Sequence, residues 1–453
     1  MAKIESMRPS FWLALVVAAA LAANLAAAPV LLISIDGLRP DYVTHAGEHG
    51  LKIPNLRNLV LEGTHAEGVT GVVPTVTYPS HTTLVTGVAP AVHGIFSNSK
   101  FDPLGKNHGG WYWYGQEIRV RTLWEAASQA GLTTASVNWP VTVAARGVGY
   151  LVPEYWRAGS EDDLLLIEAL SRPDGWLQGL ETSLGPFPDA TQGTLAGDEI
   201  RARYSIELLK TVKPGFLTVH LTSLDEAEHE TAPFSPHSCE TLEALDGMIG
   251  RLAAAALAAQ ADTVIAVVSD HGFIRTEHRV NLMVPFVAAG FVHLAQPGGS
   301  VASWDGAPWL AGGLAAVMLR KPADTATRDA VGRMLQKLAA SPENGIARIL
   351  GPREIAQSGG FPDAAFLVEL QPGYQCGDLT SGTLVTPAPS TGAHGYLPDR
   401  PEMRASFFVI GRHIAKGKRL GVIDMRQIAP TLAALLGVQL PAATQSKLDL
   451  GEP

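Results

Sequence analysis

Short apolar runs that end on a charged residue set the rhythm of this chain. The first is Val30-Leu31-Leu32-Ile33-Ser34-Ile35, which runs into Asp36-Gly37. Phe216 to Leu221 leads towards Asp225, and Thr263 to Val268 leads into Ser269-Asp270-His271-Gly272. Runs of this length, rich in β-branched residues, read as strands buried on both faces of a parallel sheet. Between them the pattern predicts helices, among them Thr122 to Ala130 and Cys239 to Ala259. Alternating strands and helices imply an α/β fold with helices on both faces of a mostly parallel central sheet. In such sheets ligands bind outside the carboxyl ends of the strands, so strand ends carrying Asp or Asp-His point at one crevice.

The stretch from about 281 to 390 is less regular. It predicts a strand at Leu314 to Leu319, a helix near Thr327 to Ala340 and several Gly/Pro-rich turns. It reads as a smaller inserted region of one domain, because His394 lies beyond it. A strand at Ser406 to Ile410 and a helix over Met425 to Leu436, closed by Gly437, complete the chain.

The N-terminus reads as a secretory leader over 1–28. Lys3 and Arg8 form a positive flank, Phe11 to Ala23 is apolar, and Ala26-Ala27-Ala28 offers small residues for cleavage. The apolar run is shorter than the roughly 20 residues a bilayer span needs. The expected protein is therefore secreted or periplasmic, with residues 29–453 as the mature domain and no stable membrane span after cleavage. The formal net charge of −9 gives no support for binding a nucleic-acid polymer through a broad basic face. Export permits a disulfide between the two cysteines, Cys239 and Cys376, but their pairing stays open.

Asp225-x-x-x-His229 and Asp270-His271 carry the chemistry that stands out. Carboxylate and neutral imidazole suit Zn²⁺, and residues four apart share one face of a helix. Either motif alone also fits an ion pair or a cap with no metal. His394 lies in Thr391-Gly392-Ala393-His394-Gly395, where glycines allow close backbone approach. Pro74-Thr75-Val76-Thr77-Tyr78-Pro79-Ser80-His81 predicts an extended piece turning into a helix from Pro79 to about Val85. Thr77 then stands at a helix N-terminus, which favours anions. On local sequence alone an ordinary N-cap threonine is the favoured reading.

Taken together, Asp36-Gly37, Thr77-Tyr78-Pro79-Ser80-His81, His93-Gly94-Ile95 with Asn98, Asp225-x-x-x-His229, Ser269-Asp270-His271-Gly272 and His394-Gly395 resemble the alkaline phosphatase superfamily. Within it they look most like the nucleotide pyrophosphatase/phosphodiesterase family. The resemblance runs in order along nearly the whole mature chain and includes Trp139-Pro140 and Ala429-Pro430-Thr431. It implies an alkaline-phosphatase-like α/β/α sandwich and two Zn²⁺ per chain. One zinc would rest on Asp36, Thr77, Asp270 and His271, the other on Asp225, His229 and His394. Thr77 would be the nucleophile, and Asn98 would hydrogen-bond a non-bridging phosphoryl oxygen. His81 and His93 match family positions outside the ligand set and are expected to be structural.

The resemblance also bears on which ester is cleaved. Sulfatases of the superfamily carry Cys or Ser at the nucleophile position, where this chain has Thr77. Threonine-dependent monoesterases add a Lys-x-Arg clamp, and the matching stretch here, Ala135 to Pro140, has no cation. A diester carries one negative charge fewer, so a small phosphodiester or nucleotide is the expected substrate. A phosphomonoesterase or phosphonate-ester hydrolase is the alternative, and it would need a cation such as Lys100 or Arg146. An exported non-catalytic relative is disfavoured, since no ligand or nucleophile is missing. Tyr78 occupies an aromatic position of the family. Tyr155 and Trp156 are expected on the opposite wall of a substrate pocket, and Trp111-Tyr112-Trp113-Tyr114 as a packed loop.

Overall fold

A computed structural model describes residues 27–107, 110–156, 161–187 and 193–451, the side chains of 161–164 excepted. The expected leader lies outside the described residues apart from Ala27 and Ala28. Eight strands form the central sheet: β1 (Val30–Ile35), β2 (Thr64–His65), β3 (Thr134–Val137), β4 (Tyr150–Val152), β5 (Phe216–Leu221), β6 (Val264–Val268), β7 (Phe407–Ile410) and β8 (Lys418–Arg419). Their order is β8-β2-β7-β6-β1-β5-β3-β4. The five strands from β6 to β4 are parallel, with Ile33 of β1 opposite Val219 of β5 and Val267 of β6. Strand β7 pairs antiparallel to β6.

Every residue of β1 is buried. Its side chains alternate between two cores, as the pleat requires. Leu31, Ile33 and Ile35 join one cluster and Val30 and Leu32 the other. The principal helices are α1 (Pro54–Glu62), α2 (Thr77–Thr86), α3 (Leu123–Gln129), α4 (Leu195–Thr211), α5 (Ser223–Thr231), α6 (Pro236–Ala259) and α7 (Ile428–Leu435). The first core takes Leu56 of α1, Leu208 of α4, and Leu242, Leu245, Ile249 and Leu252 of α6. The second takes Leu84 and Val85 of α2, Trp124 of α3, and Ile428 and Leu432 of α7. Helices thus cover both faces of the sheet. Truncating Ile33 to Ala would cost about 2–5 kcal/mol, because the closely packed surroundings cannot collapse into the space left.

Element ends follow local chemistry. Thr122 caps α3 in a reciprocal box with Glu125. Helix α6 starts at Pro236 behind the capping Ser235, three residues earlier than the apolar pattern suggested. Proline is at ease in a first turn, where its missing N–H is not needed.

The segment between 281 and 390 is more regular than its turn-rich sequence suggests. Its strands Gly306–Ala311, Leu314–Leu319, Phe366–Leu370 and Ile346–Leu350 form a separate antiparallel sheet in that order. That sheet shares a cluster with Val331 and Leu335 of the helix Thr325–Ala339. Strand Val385–Ala393 then pairs with Ile274–Val280 and delivers His394 back to the central sheet. Cys239, in α6, and Cys376, at the end of strand Gly373–Cys376, are both free thiols. Among the described residues no helix is long and apolar enough to cross a membrane.

Candidate active site

The site forms at the carboxyl ends of the parallel strands. Asp36 follows β1, Asp270 and His271 follow β6, and α5 carries Asp225 and His229 just beyond β5. Thr77 is the first residue of α2, two residues before the expected helix start, and is nearly buried. Asp36, Asp270 and His271 bring ligand-type atoms within 4.8 Å of one another, and so do Asp225, His229 and His394. The two groups adjoin, since His271 and His394 stack with ring centroids 3.7 Å apart.

Two glycines make this approach possible. Gly37 has φ +75°, and a Cβ there would meet the Phe273 ring at 2.8 Å and Glu228 Oε2 at 2.9 Å. Gly395 has φ +89°, and its Cβ would fall 1.9 Å from the Ala311 carbonyl oxygen. Only glycine fits either place without moving the backbone that presents Asp36 or His394.

Backbone carbonyls fix two of the imidazole rings. His229 Nδ1 lies 3.1 Å from the Gly392 carbonyl and His394 Nδ1 3.1 Å from the Thr75 carbonyl. A carbonyl only accepts, so each Nδ1 donates, and Nε2 is the nitrogen that bears the lone pair in the neutral ring. Carbonyls that fix a histidine in this way are the usual support behind metal-ligating imidazoles. Asp225 reaches both rings, at 3.6 Å from His229 Nε2 and 3.8 Å from His394 Nε2. In the other group His271 Nε2 lies 3.0 Å from Asp270 Oδ2 and 3.4 Å from Asp36 Oδ1. The Gly37 N–H donates to Asp270 Oδ1 at 3.1 Å, and His220 Nε2 lies 3.1 Å from Asp36 Oδ2.

Several of these atoms are buried without a well-directed hydrogen bond: Asp36 Oδ1, Asp225 Oδ1, Asp270 Oδ2 and both nitrogens of His271, whose Nε2 meets Asp270 only as an ion-pair contact. Such groups are costly unless something satisfies them. Burial, with Asp270 and Asp225 nearby, holds Asp36 well above the usual carboxylate range. Burial would raise Asp270 too, but the imidazoles of His271 and His81 pull it below that range. Burial, with His271 and His229 close by, holds His394 well below the usual imidazole value. Crowded carboxylates beside imidazoles are what a divalent cation resolves, and either donor group could hold one.

His81 and His93 are placed otherwise. His81 Nδ1 donates to the Thr77 carbonyl at 2.9 Å, and its Nε2 lies 2.8 Å from Ser34 Oγ. Burial, with His220 beside it, pushes His81 down to about 3. His93 Nδ1 accepts the Ile95 N–H at 3.1 Å, and burial pushes it also down to about 3. Asn98 Oδ1 accepts the Tyr78 N–H at 2.9 Å, so its amide NH₂ is the end that remains for the pocket.

A pocket of about 360 Å³ opens over these groups. Thr77, Tyr78, Asn98 and Trp156 line it, together with Asp36, Asp225, His229 and His394. Tyr155 does not line it: the ring packs on Trp113 at 5.1 Å and joins the core. Adjacent residues of an extended segment point to opposite sides, so Tyr155 and Trp156 cannot both face the pocket. Trp111, expected in a packed loop, is the aromatic that takes its place. It meets Tyr78 edge-on at 5.2 Å and Trp156 edge-on at 5.0 Å. Lys100 instead pairs with Glu117, and Arg146 lies on the surface beside Glu125. Arg201, Glu154 and Glu226 also line the pocket, and no local motif marks them. Arg201 donates to Asp198 Oδ1 at 2.5 Å and to Thr222 Oγ1 at 2.6 Å.

The type I phosphodiesterase / nucleotide pyrophosphatase family profile matches residues 30–374. The chain belongs to this family. Ectonucleotide pyrophosphatase/phosphodiesterase family member 3 of Rattus norvegicus is 29% identical over 217 residues, covering 46% of this chain and 20% of that protein. Family member 5 of Homo sapiens is 35% identical over 118 residues, covering 25% of this chain and 24% of that protein. A bis(5'-adenosyl)-triphosphatase of Mus musculus is 33% identical over 121 residues, covering 25% of each. The match thus spans about a quarter or less of these relatives' lengths. Among solved structures, murine ectonucleotide pyrophosphatase/phosphodiesterase 5 superimposes with TM-score 0.65 at 19% identity, over 92% of this chain and 97% of the other. An inactive threonine-to-alanine variant of that murine protein, in complex with AMP, gives TM-score 0.65 at 18% identity, with the same coverage. The alkaline-phosphatase-like fold is therefore shared along almost the whole chain.

Proposed function

We propose that this protein is an exported hydrolase of phosphodiester or pyrophosphate bonds that works through a phosphothreonine at Thr77. The observation that carries the reading is the meeting of two donor clusters beside a threonine at a helix N-terminus, in a member of this family. Asp36, Thr77, Asp270 and His271 would hold one zinc, and Asp225, His229 and His394 the other. The mixed nitrogen and oxygen donors favour that metal. A bound pair of divalent ions supplies Lewis acidity for the attacking and departing oxygens and lowers the pKa of a coordinated hydroxyl.

The chain's own residues do the rest. Thr77 Oγ forms a bond to phosphorus as the ester or anhydride oxygen departs in line. Water then cleaves the phosphothreonine, releasing a phosphate monoester and restoring Thr77. The N-terminus of α2 favours the anion beside Thr77. The Asn98 NH₂ donates to a non-bridging oxygen, where charge accumulates in the transition state. Tyr78, Trp111 and Trp156 receive the organic group. AMP, the ligand of the murine neighbour, is a nucleotide monoester, the kind of product that cleavage of a nucleotide diester or pyrophosphate releases.

A diester is favoured over a monoester because the pocket holds little uncommitted positive charge. Arg201 is engaged by Asp198 and Thr222, while Glu154 and Glu226 add negative charge. The leader over 1–28 would direct export and leave 29–453 as one catalytic domain. Comparing bis-p-nitrophenyl phosphate with p-nitrophenyl phosphate, with Thr77→Ala as control, tests the reading. Preference for the monoester would sink the diesterase assignment, and full activity in Thr77→Ala would sink the nucleophile.

A further inference from the structure

The two donor clusters are not held in place in the same way. Asp36, Asp270 and His271 sit at the ends of β1 and β6, neighbouring strands fixed by the sheet's own hydrogen bonds. Asp225 and His229 ride instead on α5, a helix of nine residues whose start has no capping side chain of its own. Asp198, on α4, does that work from outside. Thr222 N–H lies 3.0 and 3.1 Å from its two carboxylate oxygens, and Ser223 N–H donates to Oδ2 at 2.8 Å. A carboxylate there satisfies amides that no turn of the helix can reach, at the end where the dipole favours an anion.

Asp198 is fully buried and would be costly alone. Arg201, also buried and one turn along α4, balances its charge and donates to Thr222 Oγ1. One ion pair therefore ties α4 to the first residues of α5. Asp225 and His229 follow on a single helical face.

We infer that Asp198 and Arg201 are positioning residues for metal binding, which set α5 so that Asp225 and His229 converge with His394. The inference rests on the two-metal reading above. It predicts a selective defect. In Asp198→Asn an amide NH₂ stands where a carboxylate oxygen received N–H groups, so the start of α5 shifts while the ends of β1 and β6 do not.

The test is a zinc titration of the metal-free full chain against a chromogenic chelator. Wild type is expected to take up two zinc ions. In Asp198→Asn one affinity is expected to fall by about 10- to 100-fold, the usual effect of losing a supporting contact behind a ligand, with the other within about threefold. The double variant Asp198→Leu/Arg201→Met leaves neither an unpaired buried charge nor an acceptor for the Thr222 and Ser223 N–H groups, so the interior stays neutral while the cap is missing. It is expected to show the same selective loss, with faster amide exchange at Thr222 and Ser223. Two unchanged affinities in the double variant, or an equal fall in both, would overturn the role of the pair. Fewer than two zinc ions in the wild type would overturn the two-metal reading and this inference with it.

Discussion

Substitution can separate the observed hydrogen bond of Asn98 from its proposed catalytic role. Its Oδ1 accepts the Tyr78 N–H at 2.9 Å, at the start of the helix that presents Thr77. Its NH₂ is proposed to donate to a phosphoryl oxygen. Asn98→Ala removes both functions, and Asn98→Asp removes only the donor. The hydrogen bond to Tyr78 is worth about 0.5–1.5 kcal/mol of folding stability. Asn98→Asp should keep it and add an anion near a helix N-terminus, so its stability should match or exceed that of wild type. A preorganised donor to a developing oxyanion is worth about 2.7–4 kcal/mol, or roughly 10²- to 10³-fold in kcat. Both variants should therefore lose kcat to that extent on bis-p-nitrophenyl phosphate. The Asp variant should lose more in kcat/KM, because its charge opposes an anionic substrate. The assay is steady-state kinetics in saturating zinc, paired with thermal unfolding of the same samples. A kcat within about threefold of wild type in Asn98→Asp, against the factor above, would refute the donor role. An Asp variant as unstable as the Ala variant would refute the acceptor role.

Three further outcomes are expected. Trp156→Ala should raise KM for a nucleoside p-nitrophenyl phosphodiester by roughly 5- to 150-fold with kcat largely kept, since ring stacking contributes about 1–3 kcal/mol per base. An unchanged KM would remove Trp156 from the binding wall. Chelation should lower the melting temperature and zinc should restore it, each site adding about 2.7 kcal/mol at 100-fold excess over Kd. A melting temperature indifferent to chelator would argue against resident metal. His93 is pushed down from the ordinary 6.5 to about 3 in the folded protein. Between those values the unfolded chain binds the extra proton, so stability falls as pH drops through that window, by about 1.4 kcal/mol per pH unit for this residue. A folded His93→Asn variant should lose stability less steeply below pH 6.5, as measured by denaturant unfolding at several pH values. An unaltered slope would show that His93 is protonated in the native state.

Much of this site was legible before any fold was known, because its strands announce themselves. Val30 to Ile35 and Phe216 to Leu221 match the observed β1 and β5 residue for residue. A strand buried on both faces must be apolar throughout, and the polar residue that ends it must be serving something. Asp36, Asp270 and His271 stand out in the sequence for that reason, and the fold brings them together. Tertiary structure decided everything that depends on which elements become neighbours. It turned Trp156 into the pocket and Tyr155 into the core, brought Trp111 up beside Tyr78, and laid α4 so that Asp198 caps α5 and Arg201 reaches the pocket wall. It also returned His394 through a strand that pairs with Ile274–Val280. Periodicity records which face of an element is buried, but not what buries it. Asp198, Arg201 and Glu154 lie in sequence that reads as ordinary charged surface, and only long-range packing places them inside.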